Sequence, residues 1–425
     1  MLFYTSFHEA LHHLLKESLC NMKYRLEKIY TYLAALICLS IPFMTYAKAF
    51  VNIIMICLFL ILILTLKKDK ITGLFNPHYL KIFFGFLIFV ILFSLFNQSF
   101  FNDFSETRKI AQTLLLLIVF SQVKNKNILI LSFIAGTFIS TFITDINIIN
   151  YYLNSFEFLI SKGAVEDLFI TQRLYLGFFI VVSSLLLLER LIKTLNKKTK
   201  YIYLLFLVFF LISLFLIASR SAIAIAFFTL ATSIIYHIKN KYRIGLLLVT
   251  TIVFLVVILN NKTLSKRFLY SDDSTRNSFI EKIKTHEPRY DIWKFSTQIF
   301  NEYKPYFFGI GTYKTQQMLI KKYKLMPIEK RKNWFIERNF NTHNQYLDII
   351  ISYGCVGLIL FLILLKEIVS LVYKNIYSVN LIISLILFLM IENIFHRQLG
   401  SFIFALTIVL ALYLNDLNNE KNISS

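Results

Sequence analysis

Stretches of about 17–22 consecutive apolar residues recur along most of this chain, each closed by a polar connection. This pattern constrains the fold more than any other feature. A segment that crosses hydrocarbon must pair its own backbone N–H and C=O groups, so this many spans predict an all-α bundle. Twelve spans are read near residues 29–47, 50–66, 79–96, 110–122, 128–149, 174–188, 201–218, 221–237, 244–260, 346–365, 377–395 and 398–414. The fourth is short and is expected to extend into 108–109. With 57% hydrophobic residues and 44 Phe among 425, the chain reads as a polytopic membrane protein whose core forms in lipid.

Charge sorts the connections. With a cytoplasmic N-terminus, the short inner connections hold Lys67, Lys68, Lys70, Lys124, Lys126, Arg190, Lys193, Lys197, Lys198, Lys200, Lys239, Lys241, Arg243, Lys366 and Lys374. The short outer ones hold Lys48, Arg108, Lys109, Lys162, Arg173, Arg220 and Arg397. The inner excess predicts both termini on the cytoplasmic side. The expected organisation is an N-terminal extension (1–28), spans one to nine (29–260), a large outer loop (261–345), spans ten to twelve (346–414) and a tail (415–425). The first 28 residues lack the apolar core of a cleavable signal, and Met22-Lys23-Tyr24-Arg25 resembles an ordinary start, so 1–21 are expected to be dispensable. His8, His12 and His13 are read as part of a solvated extension rather than a metal site. Cys20, Cys38, Cys57 and Cys355 form no CxxC pair, which argues against a disulfide framework or a zinc site.

The net charge of +21 reports topology before it reports nucleic acid, which is not an expected partner. The loop at 261–345 is basic, with 17 Lys/Arg against 8 Asp/Glu, and loops of this length escape the inside-positive rule. A basic outer face beside a bilayer suits phosphates of lipid-linked molecules or acidic headgroups, while a soluble loop in a Lys-rich proteome is the plainer reading. Residues 288–303, PRYDIWKFSTQIFNEY, place Ile292, Phe295, Ile299 and Tyr303 at helical spacing with Pro288 suited to the first turn. Lys304-Pro305 is expected to stop that helix, and FFGIGTY supplies a Gly-rich turn. Both tryptophans, Trp293 and Trp334, fall here, which fits helices lying on the membrane interface.

Several chemistries find no support. There is no P-loop, HExxH or GxSxG, and Gly309-Ile310-Gly311 lacks the third glycine of a dinucleotide site. No DxD-like acidic cluster marks an outer loop, so metal-dependent transfer, metals and cofactors are not expected. What remains is arginine and histidine on the outer face. Arg220, in ASRSA, lies in a very short turn, where it either snorkels to the interface or contacts a ligand between small neighbours. Arg289, four residues before Trp293, either stacks on that ring or offers a guanidinium fork to phosphate oxygens. His343 follows the candidate caps Asn341 and Thr342 in the expected first turn of span ten, where a helix end favours neutral imidazole. It is either a helix-mouth histidine bonded to water or headgroups, or a base. Asp348 lies about 140° around the helix from it and is read as a structural acceptor.

These segments together resemble the bacterial O-antigen ligases and related oligosaccharide polymerases. The likeness rests on ASRSA after span seven, RYDIW followed by YFFGIG in the outer loop, and HNQYLDIIISYGCVG entering span ten, with Gly354 and Gly357 spaced as in that family. Twelve spans with a large loop between nine and ten also match. The resemblance implies a GT-C-like helical fold in the inner membrane and a metal-independent, inverting glycosyltransferase. Its donor would be a glycan on undecaprenyl diphosphate and its acceptor lipid A–core at the periplasmic face. It further implies Arg220 and Arg289 on the diphosphate and His343 as catalytic base. Arg173, in TQRLYLG, and His396 and Arg397, in FHRQLG, are weaker candidates for the same anionic pocket, with interfacial anchoring as the alternative. The same signature serves O-antigen polymerases and protein O-oligosaccharyltransferases. A lipid-linked sugar transporter is a further alternative, although the suspicious residues gather at one membrane face rather than at the midplane.

Overall fold

In a computed structural model, the described residues are 24–65, 77–155, 166–237, 240–260, 265, 268–269 and 278–424. The histidines of the extension, Cys20, Lys67, Lys68, Lys70, Lys162 and most of 261–277 lie outside them. Among the described residues there are sixteen helices and no strand, so the chain is an all-α polytopic membrane protein. The helices are α1 (Tyr24–Phe43), α2 (Lys48–Thr65), α3 (His78–Phe96), α4 (Phe100–Ser121), α5 (Lys126–Ser155) and α6 (Arg173–Lys193). They continue with α7 (Lys197–Ile217), α8 (Arg220–His237), α9 (Asn240–Asn260), α10 (Phe279–His286), α11 (Pro288–Tyr303) and α12 (Thr312–Lys324). The last four are α13 (Glu329–Arg338), α14 (Gln345–Val372), α15 (Ile376–Leu389) and α16 (Gln398–Ser424).

Nine of these are long and apolar enough to cross a membrane: α1, α2, α3, α5, α6, α7, α8, α14 and α16. The other three expected spans are also helical, as α4, α9 and α15. α4 begins at Phe100, well before the expected 108–110, and its first turns carry Asp103, Glu106, Arg108 and Lys109. Hydropathy cannot anticipate this, because Asp103 is buried as a cap for another helix. Its Oδ1 accepts from Thr312 Oγ1 at 2.7 Å and from the Tyr313 backbone N–H at 2.8 Å, at the start of α12. A carboxylate there answers both the orphan donors and the positive end of the helix.

α15 has 14 residues and ends at Leu389, not near 395. At 1.5 Å per residue that is about 21 Å, short of the hydrocarbon thickness. The chain beyond it runs as turn and a single 3₁₀ turn, Ile394–His396, before α16 starts.

Span ten is likewise not one continuous helix. Gly354, at φ 73° and ψ −171°, breaks α14. The loop segment 306–311 lies in this break, where the Ile310 and Gly311 N–H groups donate to Ile351 O (3.0 Å) and Ser352 O (2.9 Å). In return, Cys355 N–H donates to Tyr306 O at 2.9 Å. Non-helical backbone at such a place must find partners in protein, and this exchange supplies them. The fit requires glycine on both sides. A Cβ on Gly309 would stand 2.1 Å from Ser352 C, and one on Gly354 2.3 Å from Phe307 O.

The main core is built by α1 to α8 and α14 to α16. α4 packs on α16, α3 on α14, and α15 between α8 and α16. A second, smaller core joins α11, α12 and α13 through Ile292, Ile299, Leu319, Tyr323, Met326 and Phe335, with Ile351 of α14 completing it. Trp293 packs against this core, while Trp334 is 37% exposed. Trp293 Nε1 donates to Thr342 O at 3.1 Å, and the Trp334 ring packs against Phe335 and Phe340.

Candidate functional site

The site forms where α6, α8, α14 and α16 begin, under α11. His343 stands just outside α14, not in its first turn. Asn344 is the cap, its side chain accepting from Tyr346 N–H and Leu347 N–H at 3.0 Å each. His343 adopts φ 44°, a left-handed conformation that costs about 1–2 kcal/mol for a side chain of this kind. It is held there by the Asn341 side chain, which accepts from His343 N–H at 3.0 Å, and by the Phe340 ring, 5.6 Å away between centroids. The charge nearest the imidazole is therefore a side chain rather than a helix end: Nδ1 lies 3.0 Å from Glu392 Oε2.

Glu392 comes from the irregular segment after α15, with 2% of its side chain exposed. Its other oxygen lies 3.1 Å from Arg397 Nε. Burial alone would push the Glu392 carboxyl up. The His343 hydrogen bond and the charges of His343, Arg397 and Arg289 outweigh that and hold it below the ordinary carboxylate range. Arg289, on the first turn of α11, donates from Nε to Ile391 O at 3.3 Å, and its Nη1 pairs with Glu287 at 3.4 Å. The second oxygen of Glu287 lies 2.5 Å from Arg220 Nη2, at the start of α8. One carboxylate thus spans two guanidiniums from different elements.

The structure consequently brings His343, Arg220, Arg289 and Arg397 into one connected group, linked through Glu287 and Glu392. Arg173 stands at its edge. Its guanidinium lies over the Phe169 ring at 4.8 Å, while the neighbouring Gln172 accepts from Arg397. His396 belongs to a second buried pair, with Nε2 2.9 Å from Asp348 Oδ2. Asp348 also accepts from Thr342 Oγ1 at 3.3 Å, so its role as a structural acceptor between elements is visible. Burial would lower His396. The Asp348 charge and hydrogen bond, with Glu106, outweigh burial and Lys109 and raise it.

Glu287 and Glu392 escaped the sequence reading. Glu287 sits one residue before the proline that starts α11, where an acidic residue reads as an ordinary helix-entry charge. Glu392 falls within the apolar run that predicts a span to 395. A carboxylate inside an apolar run is the signal that could have exposed it. Among the described residues no group of three or more His, Cys, Asp or Glu side chains is placed to hold a metal ion.

An inverted charge balance of this kind, arginines gathered around a histidine and each tied to a carboxylate, is suited to an anionic substrate with a hydroxyl to be deprotonated. No curated protein matches the chain. Residues 205–362, which hold Arg220, Arg289 and His343, match the family model described as O-Antigen ligase.

Proposed function

We propose that this protein is an O-antigen ligase, which transfers a polysaccharide from undecaprenyl diphosphate to a sugar hydroxyl of lipid A–core at the periplasmic face of the inner membrane. The observation that carries this reading is the connected group of His343, Arg220, Arg289 and Arg397 at the mouth of α14. In the reaction, His343 Nε2 takes the proton of the acceptor hydroxyl, whose oxygen attacks the anomeric carbon opposite the diphosphate. The anomeric C–O bond breaks, its electron pair leaves on undecaprenyl diphosphate, and the configuration inverts. The guanidiniums of Arg220 and Arg289 neutralise the charge growing on the leaving group, which therefore needs no acid. Glu287, whose carboxylate now lies between them, would give way to phosphate oxygens of the same charge sign. Arg397 and Arg173 would add their charge to the same anionic site. The reaction as written uses no metal.

A deletion strain examined by lipopolysaccharide gel tests the reading. A ligase predicts bare core with polymer stranded on its lipid carrier. Core bearing one repeat unit would instead mark a polymerase, and normal lipopolysaccharide with unmodified glycoproteins a protein transferase. An unchanged glycan profile in every compartment would contradict them all.

A further inference from the structure

We propose that Glu392 is a positioning residue for the transfer, fixing the imidazole of His343 so that Nδ1 carries the hydrogen and Nε2 receives the acceptor's proton. This rests on the reading of His343 as base. Three observations carry it. First, the carboxylate is almost fully buried yet turns one oxygen to His343 Nδ1 at 3.0 Å and the other to Arg397 at 3.1 Å. A carboxylate so placed accepts only, so the ring nitrogen facing it is the donor and the far nitrogen keeps its lone pair.

Second, the segment around Glu392 is matched residue by residue to the segment around His343. Asn393 Nδ2 donates to Thr342 Oγ1 at 2.6 Å, Phe395 N–H to Gln345 Oε1 at 3.1 Å, and His396 pairs with Asp348 at 2.9 Å. Ile391, just before Glu392, accepts from Arg289. The carboxylate is therefore held in register with His343 on both sides and cannot drift from it without breaking neighbouring bonds. Third, His343 itself occupies a left-handed conformation away from the helix, so the helix does not fix its ring and another group must. A buried carboxylate behind an imidazole does this in other hydrolytic and transfer sites, orienting the ring and stabilising the imidazolium without itself taking the proton.

The groups that face the pair are few. The ring meets Glu392 and Phe340, while Glu392 also meets Arg397, Arg289 and the Tyr175 hydroxyl region of α6. Glu392→Gln keeps the shape and removes the charge. In the full-length protein reconstituted with lipid-linked donor and lipid A–core, it should lower kcat by about 10–100-fold and leave donor KM within about threefold. A merely structural role would lower abundance or raise KM rather than lower kcat alone. Unchanged kcat, or a raised donor KM at unchanged kcat, would overturn the proposal. Should Glu392→Gln fail to accumulate, Glu392→Asp keeps the charge and withdraws it by one methylene. It should lower kcat more than it raises KM, and a normal kcat would overturn the proposal equally. His343→Ala separates the two levels: activity retained there sinks the base assignment, whereas His343→Ala inactive with Glu392→Gln fully active sinks only the role of Glu392.

Discussion

At the scale of single residues, the site is a set of cations held by two glutamates. Glu287 has one oxygen on Arg220 and the other on Arg289, the arrangement a phosphate would take. Glu287→Gln should therefore lower the donor KM, roughly tenfold given the strength of charged hydrogen bonds. A donor titration checks this, and a raised KM would mean that Glu287 positions the arginines instead of competing with the donor. Arg289→Ala should reduce transfer by at least about 100-fold with normal abundance on a blot, because the diphosphate would lose a fork that no neighbour replaces. Arg220, Arg397 and His343 were legible in the sequence because they stand at span boundaries, and Arg289 because it opens a loop helix with a recognisable motif. Their glutamate partners were not, since pairing across 49 positions, as between His343 and Glu392, leaves no local pattern. The expected cap of α14 also shifted, from Asn341 and Thr342 to Asn344, because these three residues within four positions each offer a capping side chain.

At the scale of elements, two glycines and a short helix make the site possible. Gly354 interrupts α14 where the loop strap 306–311 enters, and its φ and ψ fall in a region that is essentially glycine's alone. Gly354→Ala should sharply reduce folded protein, read by fluorescence-detected size exclusion, since a Cβ would also meet Phe307 O at 2.3 Å. Normal abundance and a normal elution profile would contradict the strap. The early end of α15 releases the segment that carries Glu392, His396 and Arg397. The His396–Asp348 pair pins that segment to α14, and His396 is raised above its ordinary value of about 6.5. The stabilisation is complete below that ordinary value and is lost as pH rises through the raised one. Melting in detergent between about pH 6 and 9 should show wild type losing stability toward alkaline pH relative to His396→Gln. Parallel curves would contradict it. Continuous apolar runs made the spans readable, but hydropathy cannot see that Asp103 caps another helix or that a glycine opens one.

At the scale of the whole molecule, a bundle with a main core in its spanning helices carries a small second core, which Ile351 of α14 completes. The all-α polytopic architecture followed from the apolar runs alone, because lipid leaves the backbone few choices. The charge bias predicts the sidedness, which is open to a direct check. In a cysteine-free background, a cysteine at the exposed Lys330 should react with a membrane-impermeant maleimide in spheroplasts, while one at Lys197 should react only after lysis. The reverse pattern would invert the topology and move the site to the cytoplasm. The central claim is that His343 is the base of a glycan transfer from a lipid diphosphate. Its most direct measurement is transfer by the purified, reconstituted protein, wild type against His343→Ala, with lipid-linked O-antigen and lipid A–core. The account predicts ladder-bearing lipopolysaccharide from the wild type and none above background from a variant that still binds donor. Near-normal transfer by His343→Ala would contradict it.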